Sequence, residues 1–327
     1  MKLASLIDKS SRDGHPVLVS QDNQFYTSIK DLTPSIREAL ENWSQIETKL
    51  KERSQALNAG TGDRKPVDER LFHSPLPRAF QWADGSAFLE HVKLVRKARN
   101  APLPETLYTV PLMYQGGSDT FLAPDEDIPF FQESYGLDFE GEVAVITDHV
   151  PMGTSPEAAL TRIRLVVIVN DVTLRGLIPD ELAQGFGFFQ SKPSSAFAPF
   201  ALTPDELGTN WKEGRLHLPL LSELNGKFFG KPNAGAMHFH FGHLIAHAAR
   251  TRDLGPGTVI GSGTVSNEDR AMGSSCIVEQ RMIEKIETGE FKSPYMKPGD
   301  TIKIEMRDSA GKNLFGTIFQ KVSEPKI

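Results

Sequence analysis

The chain has 327 residues, of which 39% are hydrophobic and 24% charged, the proportions of an ordinary soluble protein with room for one large domain and one small one. A formal net charge of -6 with no long Lys/Arg run argues against a nucleic-acid surface, and no stretch reaches the roughly 18 apolar residues of a membrane span. The single cysteine, Cys276, excludes an intrachain disulfide, and the charges from Asp8 onward leave no apolar leader after Met1, so the expected location is the cytoplasm.

In chain order, the 27 Gly and 22 Pro announce a turn-rich fold with much β structure. Short apolar runs separated by Asp13-Gly14 and Asp22-Asn23 predict a β meander over residues 1–30. Thr33-Pro34-Ser35 then caps a helix of about twenty residues, carried by Ile36, Leu40, Trp43 and Leu50 and stopped by Asn58 and Gly60. The polar stretch 61–68 reads as a connection. It divides a small N-terminal domain, 1–70, from a larger one, 71–327. Beyond it, Asp84-Gly85-Ser86 leads into a helix running to about Asn100, with Asp84 as its cap and His91 roughly two turns away on a related face. The adjacent glycines of the segment from Pro111 to Asp119 predict a tight loop with exposed N–H groups, following Tyr114.

The most informative stretch is Leu137 to Ile146, whose two-residue alternation predicts one strand with Leu137, Phe139, Val143 and Val145 on one face and Asp138, Glu140 and Glu142 on the other. Glu140 and Glu142 stand about 7 Å apart along a strand and repel by about 2 kcal/mol at an effective dielectric near 20. Acidic residues also protect solvent-facing strand edges. Gly141 between them, however, removes bulk where a ligand approaches, and a hard cation with oxygen ligands accounts for the pattern. A short helix is expected at 155–161. Leu165 to Val169 reads as a strand buried on both faces that brings Asp171 out at its mouth, with Arg175 as a partner, or else as a turn-forming residue. Lys192 lies among aromatics and small residues, where a lysine is either solvated or a fixed charge aimed at a carbonyl oxygen.

Met237 to His247 holds four of the nine histidines, but its spacing matches no common zinc pattern and offers no His-Glu-x-x-His; His243 and His247 fit packing or polar-face positions one helical turn apart. A strand with alternating glycines follows Thr258, and the segments from Thr301 and from Leu314 predict a terminal hairpin.

Together, Asp84 and His91, Tyr114 with its Gly-rich loop, Asp138-Phe139-Glu140-Gly141-Glu142, Asn170-Asp171-Val172, Ser191-Lys192 and Ser262-Gly263-Thr264-Val265-Ser266 form an ordered set that resembles the fumarylacetoacetate hydrolase family over residues 70–322. The resemblance implies a β-rich α+β fold, a mixed β-roll preceded by a small N-terminal β-containing domain, and a homodimer. It implies that Asp84, Glu140, Glu142 and Asp171 hold Mg²⁺ or Ca²⁺, with Mn²⁺ as a further option, and that His91 and Lys192 are catalytic. Glu279 is the candidate acid that orients the histidine, and Glu268 its rival. Tyr114, Arg175, Thr264 and Arg99 are candidate substrate contacts.

The implied activity is hydrolysis of a C–C bond in a small anionic β-diketo acid, with fumarylacetoacetate, cleaved to fumarate and acetoacetate in tyrosine catabolism, as the expected substrate. His91 would activate a water and Lys192 would stabilise the oxyanion. Acylpyruvate hydrolysis, or isomerisation or decarboxylation of a related oxo acid, uses the same metal-stabilised enolate. A binding protein without turnover is the reading outside enzymology, and a zinc hydrolase built on His238 to His247 the most distant one. Two departures bear on the substrate end: Ser86 stands where longer family members carry tyrosine, and a glutamine expected after Asn170-Asp171 has no counterpart.

Overall fold

The computed structural model describes residues 1–98, 102–103 and 105–325. Residues 1–30 form the expected meander: Lys2–Leu6 pairs antiparallel with His15–Val19, which pairs antiparallel with Phe25–Ser28. The single helix expected next is two, Ile36–Glu41 and Trp43–Asn58, with Asn42 between them at φ -112° and ψ 21°. Ser35 caps the first by accepting a hydrogen bond from the Glu38 amide, as a serine before a helix should.

The meander is not a separate sheet. Lys2–Leu6 also pairs with Ala201–Leu202, so these strands extend a 12-stranded sheet whose centre is Ile163–Asn170, Gly141–Thr147, Thr258–Gly261 and Gln81–Gly85, side by side in that order. The first two pairings are antiparallel and the last is parallel. That arrangement puts the C-terminal ends of three strands and the N-terminal end of Gly141–Thr147 at one rim. Asp84, Glu142, Asp171 and Gly263 all arrive there.

Ile163–Asn170 is buried on both faces, as its apolar run predicts, except at the half-buried Arg164. A second, five-stranded sheet runs from Lys227–Gly230 through Leu220–Leu224, Thr301–Met306 and Ile318–Ser323 to Ile128–Pro129. It contains the terminal hairpin, whose second strand begins at Ile318. The two sheets meet closely at Gly141, where a Cβ would stand 3.0 Å from a Leu220 methyl. The whole is a mixed, sheet-rich α+β fold. No helix among the described residues is long and apolar enough to cross a membrane.

Four local expectations are corrected. The strand expected over 137–146 is interrupted: Leu137–Asp138 pairs with Thr173–Leu174, and the chain re-enters the large sheet at Gly141. Both faces of Gly141–Thr147 are buried, so no side of it faces water. Asp84 belongs to the strand Gln81–Gly85, while the helix that follows is Leu89–Ala98. The expected loop after Pro111 contains the strand Met113–Gly116, antiparallel to Gln81–Gly85. In each case tertiary pairing overrides the local signal.

The glycine-rich segment after Thr258 is a strand only as far as Gly261. A Cβ at Gly261 would lie 2.3 Å from Asp84 Oδ1 and 2.4 Å from the Trp82 ring, so the missing side chain makes room for a neighbouring carboxylate and indole. Gly261→Ala should therefore destabilise the protein by about 1–3 kcal/mol through overpacking, read as a lower denaturant midpoint. An unchanged midpoint would contradict close packing of Asp84 and Trp82 against Gly261.

Candidate active site

Three carboxylates meet at the sheet rim. One oxygen each of Asp84, Glu142 and Asp171 lies within 4.8 Å of the others, and all three residues are buried. Asp84 accepts a hydrogen bond of 2.9 Å from the Gly263 amide, which is presented by a backbone at φ +77° that favours glycine. Asp171 accepts from Ser195 Oγ at 2.8 Å, from Tyr114 Oη at 2.6 Å and from Lys192 Nζ at 2.5 Å. Glu142 has no partner on either oxygen, although both are shut off from solvent.

Two unbonded oxygens on a buried carboxylate leave a strong demand for a donor or a cation. A set made only of carboxylate oxygens suits a hard divalent ion. The residues present therefore fit such an ion.

Glu140 is buried beside the trio but is held differently. Its two oxygens accept from Arg175 at 2.6 Å and from Lys192 at 2.6 Å. Burial alone would raise its pKa, yet Arg175 and then Lys192 outweigh it and hold Glu140 well below the usual carboxylate range. Its neighbour goes the other way: burial, then the charges of Asp84 and Asp171, push Glu142 well up. Burial followed by the charge of Asp171 pushes Asp84 up to about 8.

The partner expected for Asp171 was Arg175. The structure instead gives Asp171 to Lys192, and Arg175 to Asp138 and Glu140. Lys192 donates to Glu140, Asp171 and, at 2.9 Å, Thr173. An ammonium has three donors, and all three are engaged. In this structure Lys192 neutralises two carboxylates with the donors that the expected oxyanion contact would use.

Asp138, expected on the acidic face, is not part of the trio. Its oxygens accept from the Ile277 amide at 2.7 Å, the Val278 amide at 3.0 Å and Arg175 Nε at 2.9 Å. It thus supplies the side-chain cap that Cys276, in the N-cap position of Ile277–Thr288, does not make. That helix carries Glu279 in its first turn and packs against Leu89–Ala98, which carries His91. Glu279 is buried, and Ser266 Oγ donates to it. Burial pushes it up to about 7. Its rival Glu268 is exposed.

His91 is half-buried, its Nδ1 is enclosed without a partner, and burial pushes its pKa down to about 4, so the ring is neutral near pH 7 and able to take a proton.

These groups share a cavity of about 380 Å³ lined by Asp84, Glu140, His91, Tyr114, Arg175, Lys192 and Thr264, with an apolar wall that includes Leu112, Met113, Ile178, Leu182 and Phe188. Ser86 and Gly263 also line it. Arg99 lies outside the described residues. Among the described residues the histidines from His238 to His247 form no group of three potential ligands, although the His240 and His243 rings are 3.8 Å apart. Sequence reasoning gave no role to Ser195, Thr173 or Asp138. Of these only Asp138, set in an acidic motif, carried a visible signal.

Because burial and mutual repulsion push Asp84 up to about 8 and Glu142 upward as well, an ion that takes these oxygens competes with protons for them. Calorimetric titration with Mg²⁺ or Mn²⁺ near pH 7, in buffers of different ionisation enthalpy, should show about one or more protons released per ion, with affinity rising with pH. Binding without proton release would place the ion elsewhere. Separately, Asp138→Asn sets an amide NH₂ against donors. It should cost about 1–3 kcal/mol and speed hydrogen exchange in the helix Ile277–Thr288; unchanged exchange would show that the cap is not what holds the helix.

Comparison with known proteins agrees with this architecture. The family described as fumarylacetoacetate (FAA) hydrolase C-terminal matches residues 81–323, and fumarylacetoacetase N-terminal domain 2 matches residues 1–78. A 2,4-didehydro-3-deoxy-L-rhamnonate hydrolase of Sphingomonas sp. (strain SKA58) is 26% identical over 231 residues, 69% of this chain and 68% of that protein. The maleylpyruvate hydrolase of Sphingobium sp. SYK-6, solved in complex with manganese(II) and pyruvate, superposes with a TM-score of 0.67 at 15% identity and covers 100% of both chains. The 5-carboxymethyl-2-hydroxymuconate delta-isomerase of Mycobacterium smegmatis gives 0.61 at 16% identity, again over 100% of both. With the C-terminal family match spanning most of its length, the chain belongs to the fumarylacetoacetate hydrolase family, whose members are hydrolases or isomerases acting on oxo acids.

Proposed function

We propose that this protein hydrolyses a C–C bond in a β-diketo acid with the help of a divalent cation. One observation carries the reading: Glu142, buried with both oxygens unbonded, stands in a carboxylate trio whose Asp84 borders the same cavity as the neutral His91. Asp84, Glu142 and Asp171 would hold the cation, with Glu140 beside them. When bound, Mg²⁺, Mn²⁺ or Ca²⁺ supplies Lewis-acid stabilisation of negative charge developing on a substrate oxygen. The maleylpyruvate hydrolase with manganese and pyruvate supports a divalent ion and an oxo-acid ligand for this site.

The chain's own groups do the rest. His91 takes a proton from water as the water oxygen bonds to the carbonyl carbon. The C–C bond then breaks with its electron pair leaving on the carbon between the former carbonyls, and the proton held by His91 is returned there. Glu279, in the first turn of the adjacent helix, positions His91. Arg175 keeps donors beyond the two it gives to Asp138 and Glu140, and with Thr264 it receives a substrate carboxylate. Lys192 balances Glu140 and Asp171, and Tyr114 donates to the same Asp171 oxygen that Lys192 holds.

Fumarylacetoacetate is the first substrate to test, followed by acylpyruvates, with oxo-acid isomerisation scored in the same ultraviolet assay. His91→Ala should retain cation affinity within about twofold while kcat/KM falls by about 10²–10⁴. Normal turnover by the variant would remove His91 from the mechanism, and double-bond migration without cleavage would convert the reading to an isomerase.

A further inference from the structure

A second cluster with metal-ligand chemistry lies beside the first and is made of different atoms. A ring nitrogen of His91, Cys276 Sγ and a carboxylate oxygen of Glu279 lie within 4.8 Å of one another. Cys276 and Glu279 are buried, and His91 Nδ1 is enclosed with no hydrogen-bond partner. The carboxylate trio is all oxygen, the choice of hard ions, whereas thiolate and imidazole prefer thiophilic ones.

The size is also suitable. A point equidistant from three atoms 4.8 Å apart is about 2.8 Å from each, the side divided by √3. Zinc bonds sulfur at about 2.3 Å and nitrogen at about 2.0–2.1 Å. Closing the shell asks each side chain to move by less than an ångström, and these side chains come from two helices already packed together.

We infer that His91, Cys276 and Glu279 form a site for a thiophilic divalent cation, Zn²⁺ or Cd²⁺, distinct from the carboxylate trio. Its occupation removes His91 from the cavity chemistry. The protein is thus inhibited by zinc while its hard-ion site is filled. The ion enters through the cavity that His91 lines, and the Cys276 proton leaves to solvent as the sulfur–metal bond forms. The inhibitory consequence rests on the proposed hydrolase reading, but the binding site itself does not.

The test uses the full chain with excess Mg²⁺ present. Cd²⁺ titration should raise a thiolate-to-cadmium charge-transfer absorption in the ultraviolet that saturates at about one ion per chain. Cys276→Ser should lose that band and keep its Mg²⁺ affinity, since serine suits the N-cap position that Cys276 occupies. Glu279→Gln, a second variant should the first misfold, should keep a sulfur band but bind Cd²⁺ at least about tenfold more weakly. In the turnover assay, Zn²⁺ should inhibit the parent protein at least about tenfold more strongly than Cys276→Ser.

Absence of the band in the parent protein, or its persistence in Cys276→Ser, overturns the site. Equal zinc inhibition of both proteins overturns its inhibitory role. The absorption needs no substrate, so a band in a protein that cleaves no diketo acid would defeat the hydrolase reading and leave this site standing.

Discussion

Burying like charges together is the constraint around which this molecule is arranged. Asp84, Glu140, Glu142 and Asp171 are all buried at one rim of the sheet, where each ionised carboxylate would cost several kcal/mol if left alone. Lys192 and Arg175 answer part of that demand, and they answer it unevenly. Glu140 takes both cations and Asp171 shares one. Asp84 and Glu142 receive neither: Asp84 has the Gly263 amide and Glu142 has no donor at all. The charge balance is therefore incomplete at two residues, both in the trio. A carboxylate needed only for stability would be expected to have a donor, because an unmatched buried acceptor costs about 1–3 kcal/mol.

Asp138 gives this arrangement its second half. One carboxylate reaches the amides at the start of the Glu279 helix and the guanidinium that holds Glu140. A shift of Asp138 would move both the charge balance at the trio and the helix that sets Glu279 beside His91. The interruption of the expected strand after Asp138 has the same origin. If 137–146 ran straight, Asp138 and Glu140 would share a face; the break lets the first turn to the helix and the second to Lys192.

The sequence made the ends of this network legible and left its middle obscure. Glu142, on one strand, and Asp171, just past the end of another, carry signals of their own, an acidic pair around a glycine and an Asn-Asp ending an apolar run, whereas Asp84 on a third strand was legible as a helix cap and through the family resemblance. The meander and the terminal hairpin were readable because turn residues flank apolar runs. Lys192 was visible as a residue but not as a partner, since its three acceptors come from two distant segments, Glu140 in one and Asp171 and Thr173 in the other, and only the fold brings them to it. The helix break at Asn42 and the strand Met113–Gly116 were hidden for a related reason. Local helical spacing continues through Asn42, and adjacent glycines mimic a loop where pairing with the Asp84 strand decides. Cys276 carried no signal beyond being alone, and the histidine-rich segment, which looked more like a metal site, brings no third ligand together among the described residues.

One cavity therefore drives similar groups to opposite states. Two glutamates two residues apart in sequence are pushed in opposite directions, Glu140 down by Arg175 and Lys192, Glu142 up by burial and its acidic neighbours. His91, pressed down to about 4 by burial, is kept neutral where a protonated imidazole would be of no use as a base. Separation of this kind within a few ångströms is how a fold assigns acid, base and ligand roles to ordinary side chains. Here it follows from which residues the sheet rim places next to Lys192 and Arg175 and which it leaves facing only other carboxylates.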